Sequence, residues 1–205
     1  MIKNIIFDMG NVLKYFNPDR YIRYFGYDGE DYALLMREVF RSPEWVALDR
    51  GTLLAKDAPT KICPRLPEHL HEAVGKLVND WWKIEFVPVP GMAEAVRELK
   101  ENGYGIYLLS NASSELHNYF HRIPGSEYFD GLLVSGDELI VKPDPRIYHI
   151  LYERFNLDPA ECWFIDDSSA NIEAGIYTGM GGTVFFNDVA RLRRDLHQAG
   201  IKISE

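Results

Sequence analysis

Cysteine is scarce in this chain of 205 residues: Cys63 and Cys162 are the whole supply, and neither stands in a metal-binding or redox spacing. That excludes a disulfide-stapled scaffold and a cysteine-ligated metal centre, and fits inert thiols in a reducing compartment. No stretch approaches the roughly 20 apolar residues that a bilayer span requires. Met1-Ile2-Lys3-Asn4 runs into a strand-like segment without the charged and apolar sections of a signal peptide. The expectation is a cytoplasmic protein with no membrane role. Positive charge is short as well. The net charge is -9 and the basic residues are scattered, apart from Arg191, Arg193 and Arg194, which read as a solvated helix face. No nucleic-acid surface is expected from that balance. Internal repeats and low-complexity segments are also missing.

What is present is an ordinary globular mixture, 46% hydrophobic and 26% charged, sufficient for one core domain carrying a smaller insertion. Short apolar runs recur, each stopping at small or polar residues: KNIIFD at the start, GIYLLSN at 105–111, GLLVSG at 131–136, CWFIDDSS at 162–169 and GTVFF at 182–186. Each reads as a buried strand. Helix-period stretches lie between them, from Gly91 to Asn102, Pro145 to Asn156 and Ala170 to Thr178. Strands alternating with helices predict an α/β fold, a doubly wound, Rossmann-like parallel sheet covered on both faces. Residues 14–87 carry helical patterns and no convincing strand: Pro18 to Phe25, Glu30 to Phe40, Leu53 to Ile62 and Glu68 to Lys83. The expected division is therefore a core of 1–13 and 88–205 with a helical insertion of 14–87, the proline-stiffened Phe86 to Gly91 forming the return hinge.

Ligands of open parallel sheets bind beyond the carboxyl ends of the strands, so the strand ends belong together. They present Asp8 at the first strand, Ser110 and Asn111 at the second, Asp166 and Asp167 at the fourth, and Lys142 in VKPDP after the third. Taken singly, each has an ordinary reading, since a strand-end Asp is a turn former and a lysine before proline is a surface cation. Taken jointly they describe a site. Three carboxylates at one edge repel one another unless a cation neutralises them, and an all-oxygen set suits a hard ion such as Mg²⁺. A lysine, a hydroxyl and strand-end amides suit a phosphoryl group. The combination points to metal-assisted phosphoryl transfer on a small phosphorylated metabolite, one carboxylate serving as nucleophile through an aspartyl-phosphate.

These residues resemble the motifs of the haloacid dehalogenase superfamily over the whole chain. FDMGNVL (7–13) is similar to its first motif, LLSN with Ser110 to the second, Lys142-Pro143 to the third and IDDSSANIEAG to the fourth. The resemblance implies Asp8 as nucleophile and Mg²⁺ ligand, and Ser110 and Lys142 as holders of the phosphoryl oxygens. It implies Asp167 and then Asp166 as acidic metal ligands, the Gly10 carbonyl as a further ligand, and Asn171 as a support behind them. The helical insertion resembles the family's C1-type cap. Position 10 departs from the pattern, because most phosphatases of the family carry there a second Asp that protonates the leaving oxygen. General acid or base catalysis is worth about 10² to 10⁴ in rate, so Gly10 implies an ester whose leaving group needs little protonation. F-D-M-G-N-V resembles a subgroup that includes α-glucose-1-phosphate phosphatases, which points to a sugar phosphate.

Two other readings follow from Gly10: a protein of low activity that binds a phosphorylated ligand or partner, and a phosphonatase-like hydrolase using Lys56 for a Schiff base. Dehalogenation is disfavoured by the Asp166-Asp167 pair. Within the insertion, WVALDRGTL (45–53) resembles the E-R-G-E turn of related caps, with Asp49, Arg50 and Gly51 in the turn and Arg50 as the candidate substrate contact. Tyr15, Phe16, Tyr21, Tyr24, Phe25 and Tyr27 read as packing residues, and His117 and His121 as a helix surface. The particular substrate, and the choice between monomer and dimer, are left open by the sequence.

Overall fold

The computed structural model describes residues 1–204. Its strands are β1 (Asn4–Phe7), β2 (Gly105–Ser110), β3 (Gly131–Val134), β4 (Cys162–Asp166) and β5 (Gly181–Val184). They form a five-stranded, wholly parallel sheet in the order β3-β2-β1-β4-β5. Each apolar run singled out in the sequence supplies one strand. β1 lies in the middle, Ile5 facing Ile106 on one side and Trp163 on the other. Both of its faces are covered: Ile5 and Phe7 join one hydrophobic cluster and Ile6 joins the other. That is why it reads as a continuous apolar run and not as an alternation.

The segment between β1 and β2 is helical, with α1 (Pro18–Tyr24), α2 (Gly29–Leu35), which runs on into a wider turn at Met36–Phe40, α3 (Pro43–Arg50), α4 (Ala58–Ile62) and α5 (His71–Asn79). After it come α6 (Met92–Glu101), the short α7 (Leu116–Tyr119) and α8 (Ser135–Glu138), then α9 (Pro145–Phe155), α10 (Ser169–Tyr177) and α11 (Val189–Gln198). Val96 and Leu99 of α6 and Leu192 and Leu196 of α11 pack on the Ile5 face, while Ile147 and Leu151 of α9 and Ile172 of α10 pack on the Ile6 face. The doubly wound architecture follows. Among the described residues no helix is long and apolar enough to cross a membrane.

The Ile5 cluster continues into the helical insert through Leu35, Ile62 and Leu77. The backbones entering and leaving the insert pair with each other, the Tyr15 amide donating to the Val87 carbonyl at 2.9 Å and the Val89 amide to the Leu13 carbonyl at 3.0 Å. One local expectation changes here. Asp49 and Arg50 are not in a turn but in the last turn of α3, which opens at Ser42-Pro43 and stops at Gly51, left-handed with φ +78°. The Ser42 hydroxyl accepts from the Trp45 amide at 3.2 Å, Pro43 occupies the first turn, and glycine ends the helix, so the ordinary start and stop signals were present.

Candidate active site

The strand order reverses beside β1, and the crevice this leaves opens at the carboxyl ends of β1 and β4. Asp8 follows the last residue of β1 and Asp166 ends β4, so both carboxylates arrive there from neighbouring strands. Lys142 sits between them. Its ammonium donates to Asp8 Oδ1 at 2.8 Å, to Asp166 Oδ2 at 2.6 Å and to the Leu109 carbonyl at 2.8 Å, with only 3% of the residue exposed. Burial opposes its charge, but the two carboxylates outweigh burial and hold its pKa above the usual lysine value. Asp8 is pushed upward, first by burial and then by the Asp166 charge, with Lys142 pulling the other way.

Both Asp166 oxygens are occupied. The Ser168 amide donates to Oδ1 at 2.8 Å, the Asn171 amide group reaches Oδ1 at 3.0 Å and Oδ2 at 3.1 Å, and Lys142 takes the rest. Asp167 is exposed toward the opening and accepts from Asn11 Nδ2 at 3.0 Å. Asn11 stands in the left-handed region at φ 57°, and its Oδ1 in turn accepts from the Phe16 amide at 3.1 Å. It thus ties the loop after β1 to the loop after β4. Asp8, Asp166 and Asp167 each bring a carboxylate oxygen within 4.8 Å of the other two. Three acids against one ammonium leave an excess of negative charge around hard oxygen donors, which fits a divalent cation of the Mg²⁺ type.

Above these residues lies a cleft of about 240 Å³, below the 300–1,000 Å³ typical of sites for drug-sized ligands. Its floor is Asp8, Gly10, Ser110, Asn111, Lys142, Asp167 and Asn171, and its opposite wall includes Phe16, Trp45, Leu48, Asp49, Val78, Trp81 and Tyr119. The insert therefore supplies a mostly apolar, aromatic roof to a polar floor.

The structure brings Asp8, Gly10, Ser110, Asn111, Lys142, Asp166, Asp167 and Asn171 to one place, as the strand-end argument requires. Asn111 takes a different part from the one expected. Its Oδ1 accepts from the Lys142 amide at 2.8 Å and its Nδ2 donates to the Lys142 carbonyl at 3.0 Å, so the side chain clamps the lysine's backbone instead of offering a free amide to a phosphate. Arg50 is exposed and lies outside the cleft, beside Leu139, Pro143 and Asp144. Its neighbour Asp49 lines the cleft, because one step along a helix turns the side chain by about 100°. Lys56 is likewise exposed and outside the cleft. Of the six aromatic residues noted near the start of the insert, Phe16 alone reaches the cleft. His117 pairs with Asp137 at 2.7 Å.

Sequence reasoning missed Asn11, Asp49, the Trp45-Trp81-Tyr119 wall and Lys14. Lys14 is wholly buried, its ammonium has no hydrogen-bond partner, and it lies 5.0 Å from the ring centre of Trp81, 4.9 Å from that of Phe86 and 5.6 Å from that of Phe16. Burial pushes its pKa down to about 8, the Asp8 charge opposing. Only Asn11, within the first motif, carried a signal that reading could have used, an Asn three residues past a strand-end Asp where a turn needs a left-handed residue.

The geometry has counterparts among known proteins. A family described as haloacid dehalogenase-like hydrolase matches residues 2–179. The chain is 26% identical over 184 residues to the sesquiterpene phosphatase astK of Aspergillus oryzae, covering 88% of each chain. It is 28% identical to a phosphorylated carbohydrates phosphatase of Thermotoga maritima, covering 86% of this chain and 81% of that one. In structure it resembles a family enzyme of Bacteroides thetaiotaomicron solved as an Asp-to-Ala mutant with magnesium and inorganic phosphate, with a TM-score of 0.69, 21% identity, and coverage of 94% of this chain and 99% of that one. With the matched family spanning most of the sequence, and the sheet order and strand-end acids in place, this chain belongs to the haloacid dehalogenase-like hydrolases.

Proposed function

We propose that the chain is a Mg²⁺-dependent phosphomonoesterase that works through an aspartyl-phosphate on Asp8, with the helical insert as the cap that selects the ester. The observation that carries this reading is the Lys142 ammonium held between Asp8 and Asp166 beneath a cleft of metabolite size. Lys142 occupies Asp8 Oδ1 and leaves Oδ2 free to attack phosphorus. Its charge, the Ser110 hydroxyl and nearby backbone amides suit the phosphoryl oxygens. Asp8, Asp167 and the Gly10 carbonyl would hold the ion, with Asp166 behind them, and Mg²⁺ there would neutralise the acids and polarise the phosphoryl group. Asn171 fixes Asp166, and Asn111 fixes Lys142.

The relatives named for phosphorylated carbohydrates and for a sesquiterpene both support hydrolysis of a small phosphate ester. The first-motif resemblance favours a sugar phosphate such as glucose-1-phosphate, whose ring could lay its CH face on Trp45 and Trp81. The composition of the roof favours a second reading, an ester of an aryl or isoprenoid type, because Phe16, Trp45, Leu48, Val78 and Trp81 offer only indole N–H donors, too few partners for the several hydroxyl groups of a sugar. Phosphate release with and without Mg²⁺ across glucose-1-phosphate, glucose-6-phosphate, an aryl phosphate and an isoprenyl phosphate tests both. Release from at least one ester that Asp8→Asn abolishes is expected. A panel with no release above Asp8→Asn would replace the enzyme by a binding protein of the same fold.

A further inference from the structure

The cleft needs a proton donor that Gly10 does not provide. Its titratable lining among the described residues is short: Asp8, Asp49, Tyr119, Lys142 and Asp167. Lys142 is engaged by two carboxylates. Asp8 is the nucleophile and Asp167 an acid of the metal cluster in the reading above. The Tyr119 phenol is pushed far up by burial, with the Asp49 charge adding to it, so it is a weak donor. Asp49 remains. Its carboxyl has no hydrogen-bond or ion-pair partner, although the residue is half-buried and lines the cleft together with Trp45, Leu48 and Trp81.

Its position is also fixed. Ser135 at the start of α8 donates its hydroxyl to the Asp49 carbonyl, and the Ser135 Oγ itself accepts from the Ala112 amide at 3.0 Å, which links α3 to the loop after β2. Next to it Gly51 meets Gly136 so closely that a Cβ on Gly51 would lie 2.0 Å from the Gly136 carbonyl oxygen. Two core contacts thus hold the end of α3 over the floor of the cleft. Arg50, the next residue, faces away, and the acids of α8 are engaged elsewhere, Asp137 by His117 and Glu138 by Arg154. The charged group that acts on Asp49 is Asp8 across the cleft.

From this arrangement we infer that Asp49 is the general acid and base of the reaction, supplied from the insert in place of a carboxyl at position 10; the inference rests on the proposed phosphomonoesterase activity. Burial first, and the Asp8 charge second, push its pKa up to about 8, so at neutral pH it carries a proton to give. As Asp8 attacks phosphorus, the ester P–O bond breaks and the Asp49 proton goes to the leaving oxygen, producing alcohol, aspartyl-phosphate and an Asp49 carboxylate. That carboxylate then takes a proton from the water that attacks phosphorus. The Asp8–phosphorus bond breaks, inorganic phosphate leaves, and Asp49 is an acid again.

Phenyl phosphate and 4-nitrophenyl phosphate separate proton donation from binding, because they present one ring in two leaving groups of different acidity. With the Mg²⁺-loaded protein, Asp49→Asn is expected to lose about 10² to 10⁴ in kcat/KM on phenyl phosphate and much less on 4-nitrophenyl phosphate. On the latter, acid-quenched Asp49→Asn should carry the added mass of one phosphoryl group, since the base that activates water is gone. The double variant Asp49→Asn with Gly10→Asp should recover part of the phenyl phosphate rate. A Cβ at residue 10 would have its nearest neighbours at 3.8 Å and 4.0 Å, so the rescue is sterically open. Equal losses on the two esters, or no loss, would overturn the assignment of Asp49 while leaving the phosphatase reading intact. Wild-type protein with no Asp8-dependent release from these two esters or from any other ester of the panel above would overturn that reading, and the role of Asp49 with it.

Discussion

Replacing Lys14 with Met should make the metal-free protein more stable, by an amount that depends on pH. The side chain is buried, its ammonium has no hydrogen-bond partner, and Met has similar length with no charge to desolvate. A fall in pKa from the ordinary 10.5 to about 8 corresponds to about 3 kcal/mol against the charged form. Attraction of the ammonium to the faces of Phe16, Trp81 and Phe86 offsets part of this, at roughly 0.5–2 kcal/mol for such contacts. A net gain of about 1–3 kcal/mol is therefore expected at pH 7, which for a chain of this size is a rise in Tm of several degrees. The sign with pH follows from linkage. Between about 8 and 10.5 the unfolded chain keeps the Lys14 proton and the folded protein has released it, so wild-type stability rises with pH through that window. The advantage of Lys14→Met should shrink by about 2 kcal/mol between pH 7 and pH 10. Denaturant melts of both proteins in chelator, compared at each pH between 7 and 10, isolate this one group because every titration not coupled to Lys14 cancels. A variant less stable than wild type at pH 7, or a gap that does not change with pH, would refute the reasoning.

Two further substitutions probe the floor and the hinge of the cleft. Lys142→Met leaves Asp8 and Asp166 buried without their shared cation, a loss of about 3–5 kcal/mol in metal-free protein; Mg²⁺ should then raise the Tm of the variant more than that of wild type, and an equal or smaller rise would argue against metal binding at these acids. Gly51→Ala meets both a left-handed backbone and the Gly136 carbonyl, so a loss above about 1–3 kcal/mol is expected, together with a fall in phenyl phosphate turnover as the end of α3 shifts; melts that coincide with wild type would show that the contact yields freely.

The sheet was legible because a central parallel strand is covered on both faces and must be apolar throughout, as Ile5-Ile6-Phe7 and Phe164-Ile165 are. The strand-end acids were legible for a related reason: a charge that closes a buried run stands out, and the chain order alone collects such charges at one edge. The roof was not. Trp45, Trp81 and Tyr119 come from three separate segments, and local pattern shows each to be apolar without showing what it faces. Lys14 was hidden in the same way, since its burial depends on rings at 16, 81 and 86 converging on it. Asp49 was hidden behind Arg50 because the turn-like motif does not show where α3 ends or how it is rotated, and one residue decides which side chain looks into the cleft.

The placement of an acid on the insert changes what Gly10 means. A carboxyl at position 10 would belong to the same loop as the nucleophile and would be present whether or not the roof were occupied. Asp49 instead owes its raised pKa mainly to burial beneath the aromatic wall. A substrate that fills the cleft excludes water from that carboxyl and strengthens the effect, whereas a cleft open to water weakens it. Proton donation is thereby joined to the fit of the leaving group, and the element that contacts the alcohol portion is the one that protonates its oxygen. In such an arrangement, an ester with a poor leaving group is hydrolysed well only if it also fits the roof, and an acidic leaving group escapes that requirement. Selectivity would then show in kcat for phenyl-type esters and chiefly in KM for 4-nitrophenyl esters, because only the former need the Asp49 proton in the transition state.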